Sequence, residues 1–307
     1  MRDLTGTDVV CAVCGTNDHA RELYPGNVRE SDLNAQVFSA RRSPDRLHGR
    51  ILRCGQCGLV YASPLPPREL LATLYASSTY TYGDVEDTVA ATYARYINRV
   101  LREMRAEGHP PRSALDIGCG NGFVLKEMLA HGIPDVRGIE PSRDAREKAD
   151  PAMQPLITTG MFNASLPGGT YDLITCFQTF DHVPQPRQFL QDVFHALNPN
   201  GRALFINHNI ASLTARILGE RCPMIDIEHT FLHTPHTMRL LFGQTGFTDV
   251  RSFAVRNDYR LRYWARLLPM PRRIKRALLP FLEKSRLGAV LLPLYAGNLG
   301  LTARRGV

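Results

Sequence analysis

The chain has 307 residues, 44% of them hydrophobic and 21% charged, which is ordinary for a soluble globular protein of one large domain or two modest ones. The longest apolar stretch, 287–301, is broken by proline and glycine and is too short for a membrane-spanning helix, and the start of the chain lacks a signal-peptide pattern. Seven cysteines without an export signal argue against a disulfide framework and for a cytoplasmic protein, and a net charge of +8 indicates an anionic partner of undetermined class.

Two Cys-x-x-Cys-Gly motifs lie near the start of the chain, at 11–15 and 54–58. Each motif offers two thiolates from one tight turn, and the glycine permits the positive-φ geometry in which backbone N–H groups point at sulfur. Four cysteines leave no open coordination position, so we predict a structural Zn²⁺ rather than a catalytic one. Redox chemistry and a chance spacing of the cysteines are the alternatives. The sequence thus predicts a small zinc ribbon over residues 1–62 with the ligands Cys11, Cys14, Cys54 and Cys57.

A helical linker region is predicted over residues 63–110. Prolines at 64, 66 and 67 mark the exit from the ribbon. Residues 84–108 then place apolar side chains at helical spacing, open with acidic residues and close with Gly108. We expect one long amphipathic helix here, with its tyrosines in the core.

Short apolar runs alternate with helical patterns from residue 111 onward. Strands are predicted at "SALDIG", "VRGIE", "PLITT", "YDLITCF" and "ALFINH", with helices at 121–131, 142–149 and 187–197 and a turn at "NPNG". This alternation predicts an α/β fold with a doubly wound, Rossmann-like parallel sheet, which binds ligands at the carboxyl ends of its strands.

The glycine-rich corner "LDIGCGNG" indicates which ligand that sheet binds. Gly118, Gly120 and Gly122 follow the first strand of the sheet, but Phe123 stands where a dinucleotide-binding fingerprint has its third glycine. Asp116 would repel a phosphate at this corner by about 1–4 kcal/mol. A cationic or zwitterionic ligand such as S-adenosylmethionine is therefore favoured, and Glu140, 24 residues further on, can accept hydrogen bonds from both of its ribose hydroxyls.

In these motifs the sequence resembles the class I S-adenosylmethionine-dependent methyltransferases. The resemblance covers about residues 100–250 and rests on "LDIGCGNG", "GIEPS", "YDLITCFQTFDHV" and "LNPNG" in that order. It implies three groups of cofactor-binding residues. The corner holds the methionine portion, Glu140 holds the ribose, and the segment "TTGMFNASLP" flanks the adenine. The cofactor-binding residues are Asp116, Gly118, Cys119, Gly120, Gly122, Glu140, Pro141, Met161, Phe162, Gln178 and His182.

The ribbon and its "YASPLP" exit narrow the resemblance to bacterial methyltransferases that modify sugars and surface glycans. This implies as acceptor a hydroxyl of a sugar, a nucleotide-sugar or a glycan intermediate. Some members of the wider group methylate carbon and carry a further C-terminal domain. This chain is too short for that domain, which argues against C-methylation, although N- and C-methylation both remain open.

Transfer to a hydroxyl needs alignment of the acceptor and a base that accepts one proton, and histidine suits that task near neutral pH. We predict His229 as the base, oriented by Glu228 or Asp226, and His208 as the second candidate. A purely structural role is the alternative for each histidine. The N/D-P-P-Y/F turn of nucleic-acid amino-methyltransferases and a Pro-Cys nucleophile are both absent. Nucleic acid is therefore disfavoured as the acceptor.

A basic segment follows the core. Residues 251–286 hold eleven arginines and lysines against Asp258 and Glu283, and an insertion at about 256–295 separates the last two predicted strands of the methyltransferase domain, 111–307. It is either a solvated lid or a site whose arginines bind the phosphate of a phosphorylated acceptor or of a membrane surface. A location at the inner face of the membrane is thus an alternative to the cytoplasm.

The sequence predicts methyl transfer from S-adenosylmethionine to a sugar or glycan hydroxyl, with a zinc ribbon in front. The first alternative is O-methylation of a small aromatic or polyketide-like metabolite. The second is a non-enzymatic zinc-ribbon protein that binds nucleic acid and keeps only the cofactor fold.

Overall fold

The computed structural model describes residues 6–39, 45–163 and 170–306, and of Asp84 and Arg272 only the backbone. The described chain forms two β-sheets with helices around the larger one. The strands are β1 (Ala20–Tyr24), β2 (Ile51–Cys54), β3 (Val60–Ala62), β4 (Ser113–Ile117), β5 (Asp135–Glu140), β6 (Ile157–Thr159), β7 (Tyr171–Phe177), β8 (Leu197–His208), β9 (Phe231–Leu232), β10 (Thr248–Arg260) and β11 (Leu291–Arg304). The helices are α1 (Arg68–Ala76), α2 (Glu86–Ala106), α3 (Phe123–Ala130), α4 (Arg143–Glu147), α5 (Pro186–Ala196), α6 (Leu213–Leu218), α7 (Pro235–Gln244), α8 (Leu261–Leu267) and α9 (Arg272–Lys284).

The larger sheet has seven strands in the order β10-β11-β8-β7-β4-β5-β6. Its five strands from β8 to β6 are parallel, as predicted, and β4 lies between β5 and β7. The predicted α/β Rossmann-like fold is therefore confirmed. Because β4 and β7 are parallel neighbours, the glycine corner after β4 and the polar residues after β7 meet at one edge.

The sheet differs from the prediction at its far side. β11 inserts between β8 and β10 and is antiparallel to both. The sheet is mixed because β10 and β11 follow each other in the chain and pair directly, which reverses the chain direction. Both strands also extend into the predicted insertion, since residues 257–260 pair with residues 291–294. A smaller difference lies in β8, which already begins at Leu197 and includes the predicted "NPNG" turn.

Helix α2 covers the predicted amphipathic region. Glu86 and Asp87 lie in its first turn, where carboxylates interact favourably with the positive end of the helix. Its buried face includes Val89, Tyr93 and Ile97, which pack with α3 and the sheet. The predicted core role of its tyrosines is confirmed for Tyr93 and Tyr96, since both are buried.

The smaller sheet contains strands from both the predicted ribbon and the predicted methyltransferase domain. Its strand order is β1-β2-β3-β9, so three strands come from the predicted ribbon and the fourth, β9, from the predicted methyltransferase domain. The backbone N–H of Ala62 donates to the carbonyl of Thr230 over 2.9 Å, and the rings of Tyr61 and Phe231 stack with centroids 6.0 Å apart. The ribbon is therefore fastened to the core by main-chain pairing as well as by side-chain packing.

None of the helices in the described ranges combines the length and the apolar character that crossing a bilayer requires.

Candidate active site and metal centre

The glycine corner has a left-handed backbone conformation at all three of its glycines. Gly118, Gly120 and Gly122 all have positive φ, between 56° and 80°. A Cβ atom at Gly118 would lie 2.1 Å from the Thr179 hydroxyl, and one at Gly120 would lie 3.2 Å from the Tyr80 ring. Only glycine meets both demands, so the turn leaves bare backbone at the carboxyl end of β4.

Glu140 provides the carboxylate that faces the site. It ends β5, and its two oxygens accept hydrogen bonds from the backbone N–H groups of Gly120 and Ser142 over 2.8 and 2.9 Å. Burial raises the pKa of Glu140, while these two N–H groups act in the opposite direction. These two hydrogen bonds hold the carboxyl group beside the glycine corner.

Asp116 points elsewhere. Its carboxyl group is only 2% exposed and accepts a hydrogen bond from the Thr175 hydroxyl over 2.6 Å, between the neighbouring strands β4 and β7. Burial raises the pKa of Asp116 to about 7, so the group is only partly ionised near neutral pH. The repulsion of phosphate that we predicted for Asp116 is therefore not supported, because its carboxyl group lies inside the sheet and does not line the cavity.

A cavity of about 360 Å³ opens at this edge of the sheet. Of the residues predicted to bind cofactor or to act in catalysis, nine line it: Gly118, Gly120, Glu140, Pro141, Met161, Phe162, Gln178, His182 and Glu228. Five others in the described chain do not: Asp116, Cys119, Gly122, His208 and His229. Of the predicted adenine segment, residues 164–167 lie outside the described residues, as do 168 and 169.

Two predicted corner residues serve the turn rather than the cavity. The side chain of Cys119 packs against Gly138 of β5, where a Cβ atom would lie 2.5 Å from the Cys119 sulfur. Gly122 is the residue before α3, and a Cβ atom there would lie 3.1 Å from Ile157. Both residues thus support the shape of the corner from behind.

The side-chain amide of Gln178 is buried at the cavity. It follows β7 with a φ of 52°, and neither atom of its side-chain amide is hydrogen-bonded within the described part of the chain. An unpaired buried amide is costly, so a ligand with polar groups is expected beside it. Together with the bare corner and Glu140, it fits the amino acid and ribose groups of S-adenosylmethionine.

The opposite wall of the cavity was not predicted. It comes from the N-terminal part of the chain, including Phe38, Leu65, Leu71 and Tyr75. Phe38 and Tyr75 contact each other edge to face, with ring centroids 5.3 Å apart. The helical pattern of "RELLATLY" includes Leu71 and Tyr75, and the "YASPLP" stretch includes Leu65, but no predicted motif includes Phe38. The wall is apolar and aromatic.

His182 stands where this wall meets the end of β7. It closes a 3-10 turn at Phe180–His182, and its side chain is 19% exposed. Its Nδ1 lies 3.0 Å from the Tyr75 hydroxyl and 3.9 Å from Oε1 of Glu228. The predicted cofactor residue His182 thus lies beside the predicted catalytic residue Glu228, at the cavity surface.

The two histidines predicted as bases lie behind His182. His229 is 8% exposed, its Nδ1 is hydrogen-bonded to the Met224 carbonyl over 2.9 Å, and its ring packs edge to face against His182. His208 packs against His229, and its Nδ1 donates to the buried Asp181 over 2.8 Å. The three rings form a row in which only His182 reaches the cavity.

The four predicted zinc ligands come together in the structure. The sulfur atoms of Cys11, Cys14, Cys54 and Cys57 all lie within 4.8 Å of one another. The Cys11–Cys57 and Cys14–Cys54 sulfur distances are 3.5 and 3.8 Å. A tetrahedral zinc ion with Zn–S bonds of about 2.3 Å requires sulfur separations of roughly 3.8 Å. The donor set therefore fits zinc, whose positive charge would hold these sulfur atoms as thiolates.

The backbone around the cysteines supports the same interpretation. Gly15 and Gly58 have φ values of 75° and 81°, as the motifs predicted. Arg187 on α5 donates hydrogen bonds to the carbonyls of Ala12 and Val13 over 2.9 and 3.1 Å. The first cysteine turn is thus held against the larger domain.

The predicted insertion lies away from the cavity. None of the described residues between 256 and 295 lines it. Nothing in the described chain therefore places this segment as a lid over the site.

Comparison with known proteins matches the part of the chain that carries the glycine corner and Glu140. The model of a family described as "Methyltransferase domain" matches residues 89–252. The chain is 28% identical over 168 residues to a ubiquinone biosynthesis O-methyltransferase of Vibrio campbellii, a match that covers 50% of this chain and 70% of that protein. It is 34% identical over 130 residues to the mitochondrial ubiquinone biosynthesis O-methyltransferase of Saccharomyces cerevisiae, covering 38% of this chain and 41% of that protein.

Among solved structures, magnesium protoporphyrin IX methyltransferase from Synechocystis with bound SAH aligns with a TM-score of 0.46 and 17% identity, over 73% of this chain and 91% of that one. The Vibrio and Saccharomyces relatives are named for ubiquinone biosynthesis and not for the modification of sugars or glycans. The predicted resemblance to sugar- and glycan-modifying methyltransferases is therefore not supported.

Proposed function

Because this chain belongs to the methyltransferase-domain family and is an S-adenosylmethionine-dependent methyltransferase, we propose that its acceptor is a hydroxyl group on a small, largely apolar molecule such as a phenol. The observation that carries this proposal is the cavity wall of Phe38, Leu71 and Tyr75, which meets His182 and Glu228 at one point. The relatives named for ubiquinone biosynthesis O-methylation support the same acceptor class.

The cofactor is held by the residues of the large sheet. The glycine corner leaves room for the methionine portion, Glu140 accepts the ribose hydroxyls, and the amide of Gln178 provides polar contacts. When bound, S-adenosylmethionine supplies a methyl carbon on a positively charged sulfur, which an oxygen nucleophile attacks in line. Met161 and Phe162 line the cavity beside the predicted adenine position.

His182 is the proposed general base. The carboxylate of Glu228 near Nδ1 favours the tautomer with the proton on that nitrogen, which then donates to the Tyr75 oxygen. The other ring nitrogen, Nε2, is left able to accept the proton of the acceptor hydroxyl. In this arrangement His229 and His208 are positioning residues, because they pack behind His182 and do not reach the cavity.

The apolar wall discriminates between the acceptor classes. A sugar exposes hydroxyls over most of its surface and needs several polar partners in its site. The N-terminal wall offers mainly aromatic and aliphatic side chains, which suit the face of an aromatic ring. A phenolic acceptor therefore fits this cavity better than a sugar or glycan does.

We further propose that Cys11, Cys14, Cys54 and Cys57 bind one structural zinc ion. Four sulfur ligands complete a tetrahedral coordination sphere, so the ion has no position for substrate. Its proposed role is to hold the two cysteine turns together next to the smaller sheet, which includes β9.

Acceptor profiling with labelled S-adenosylmethionine tests the proposed function. We expect transfer to catechols and other phenols, and no transfer to nucleotide-sugars or free sugars. His182→Ala should lower kcat roughly 10²–10⁴-fold with little change in cofactor affinity, as expected for loss of a general base. Transfer to sugars alone, or full turnover by His182→Ala on a phenol, would contradict the proposal.

A further inference from the structure

A large share of the exposed apolar surface lies on one segment. Fifteen large hydrophobic side chains are exposed in the described chain, and nine of them fall between residues 268 and 295. They are Leu268, Ile274, Phe281, Leu287, Val290, Leu291, Leu292, Leu294 and Tyr295. We call the exposed surface of residues 261–295 the basic apolar face. Apolar side chains concentrated in this way usually mark an interaction site.

The face is continuous with a neighbouring helix. The indole N–H of Trp264 on α8 donates to the Leu292 carbonyl over 2.9 Å, which ties α8 to the start of β11. Beside it, the Thr214 hydroxyl of α6 donates to the Ala296 carbonyl over 3.2 Å. On α6, Leu213 and Ile217 are each 72% exposed. They extend the apolar surface past the end of the basic segment.

Helix α9 has apolar side chains that pack against the protein and others that are exposed to solvent. Its inner side places Leu278, Leu279 and Leu282 against the protein, and Leu282 is buried. Ile274 and Phe281, two turns apart on the adjoining side, remain 53% and 59% exposed. At 13 residues the helix is about 20 Å long, short of the roughly 30 Å of a bilayer core, so it can lie on a membrane but not cross it.

The charge of the face is strongly positive. Residues 261–290 contain eight arginines and lysines against Glu283 alone, a net +7 in a chain whose total is +8. On α9 the side chains of Arg273, Arg276 and Lys284 are exposed. Burial, together with the charges of Arg46 and Arg266, lowers the pKa of Lys275. Cations are therefore crowded on this segment, and an anionic partner relieves their mutual repulsion.

The combination of charge and apolar area selects among possible partners. A second copy of this chain seated face to face would bring two net +7 surfaces together, which Coulomb repulsion opposes. Nucleic acid matches the arginines but leaves Leu287, Val290 and Leu294 exposed to water. An anionic phospholipid surface supplies phosphate for the cations and acyl chains for the apolar side chains.

We propose that the basic apolar face docks this protein on an anionic phospholipid membrane, with Ile274, Phe281 and Leu294 inserted at the interface and the exposed cations at the headgroups. This function does not depend on the acceptor. The cavity is lined by other residues of the described chain, so docking leaves its walls in place.

Vesicle co-sedimentation of the full chain tests the proposal. We expect binding to vesicles of phosphatidylcholine with phosphatidylglycerol, and binding at least roughly tenfold weaker to phosphatidylcholine alone. Arg273→Glu with Arg276→Glu should reduce binding to the anionic vesicles by roughly tenfold or more, because two headgroup contacts become repulsive. Ile274→Ser with Phe281→Ser should reduce it comparably, because the inserted apolar area is lost.

Matched changes elsewhere on the surface serve as controls. Arg102→Glu with Arg112→Glu reverses two exposed charges outside the face, and Leu129→Ser removes an exposed apolar side chain from α3. These variants should bind like the wild type, and all variants should keep the wild-type circular dichroism spectrum and cofactor affinity. Absence of binding to anionic vesicles, equal binding to neutral ones, or equal losses in the control variants would overturn the proposal.

Discussion

Glu140 and Asp116 show how two carboxylates near one glycine corner acquire different roles. The ends of their strands are neighbours, but Glu140 faces the cavity and accepts two backbone N–H groups, whereas Asp116 faces Thr175 inside the sheet. Burial raises the pKa of both groups. We therefore assign ligand contact to Glu140 and support of the sheet to Asp116.

Glu140→Gln should weaken S-adenosylmethionine binding by roughly 10- to 100-fold, the range expected when hydrogen bonds to a charged group are lost. The amide also presents an N–H group to one of the two backbone donors, which disturbs the corner. Isothermal titration calorimetry measures the effect. Asp135→Asn, on an exposed residue of the same strand, is the control, and equal affinities in both variants would remove Glu140 from the site.

Asp116→Asn should become more stable relative to the wild type as pH rises. A carboxyl group whose pKa rises from 3.8 to about 7 on folding contributes stability below pH 4 that is lost as pH approaches 7. The asparagine does not titrate, so the difference in free energy of unfolding should grow between pH 4 and 7, by up to about 4 kcal/mol, and then level off. Urea unfolding of both proteins across this range measures it, and a pH-independent difference would contradict the raised pKa of Asp116.

The β3–β9 pair links the ribbon to the proposed catalytic segment. β9 follows Glu228 and His229 directly, and β3 follows the second pair of cysteines. Thr230, the residue between His229 and β9, donates a hydrogen bond from its backbone N–H to the Asp181 carbonyl over 2.7 Å. Asp181 lies in the turn that ends at His182. The small sheet thus holds the Glu228 side of the site against the His182 side.

Metal removal should act through this element. We expect one zinc per chain by elemental analysis, and its loss on chelation or in Cys11→Ser should lower the unfolding temperature by roughly 10 °C or more. Turnover should fall further than cofactor affinity, because Glu140 and the glycine corner belong to the other sheet. Cys222→Ser, outside the cluster, should retain zinc, and a metal-free wild type that is equally stable would exclude the proposed zinc.

At the scale of the whole molecule, the cavity exists only because distant parts of the chain meet. The large sheet supplies the cofactor side, the segments around Phe38 and Tyr75 supply the apolar wall, and Glu228 comes from the segment before β9. Tyr75 and His182 are 107 residues apart in sequence but share a hydrogen bond. The N-terminal region therefore forms part of the proposed acceptor site as well as the proposed zinc site.

Tyr75→Phe tests the contact between the N-terminal region and His182. Removing the hydroxyl leaves the ring against Phe38 but takes away the partner of His182 Nδ1, so kcat should fall roughly tenfold and its pH profile should shift. Tyr80→Phe is the matched control, because Tyr80 also lines the cavity but its hydroxyl donates to Glu86. Steady-state kinetics across pH separates the outcomes: an unchanged profile in Tyr75→Phe would reduce Tyr75 to a packing residue.

Features that depend on residues close together in the chain were predictable from the sequence. The glycine pattern at Gly118 and Gly120 predicted the corner, the cysteine motifs predicted two positive-φ turns, and the apolar spacing predicted α2. These predictions were possible because backbone conformation and helical periodicity are local properties. Four features became visible only in the folded chain: the direction of Asp116, the position of His182 rather than His229 at the cavity, the pairing of β9 with β3, and the apolar wall. Those features depend on contacts between residues tens to more than a hundred positions apart, and no local pattern encodes which side chains such contacts bury.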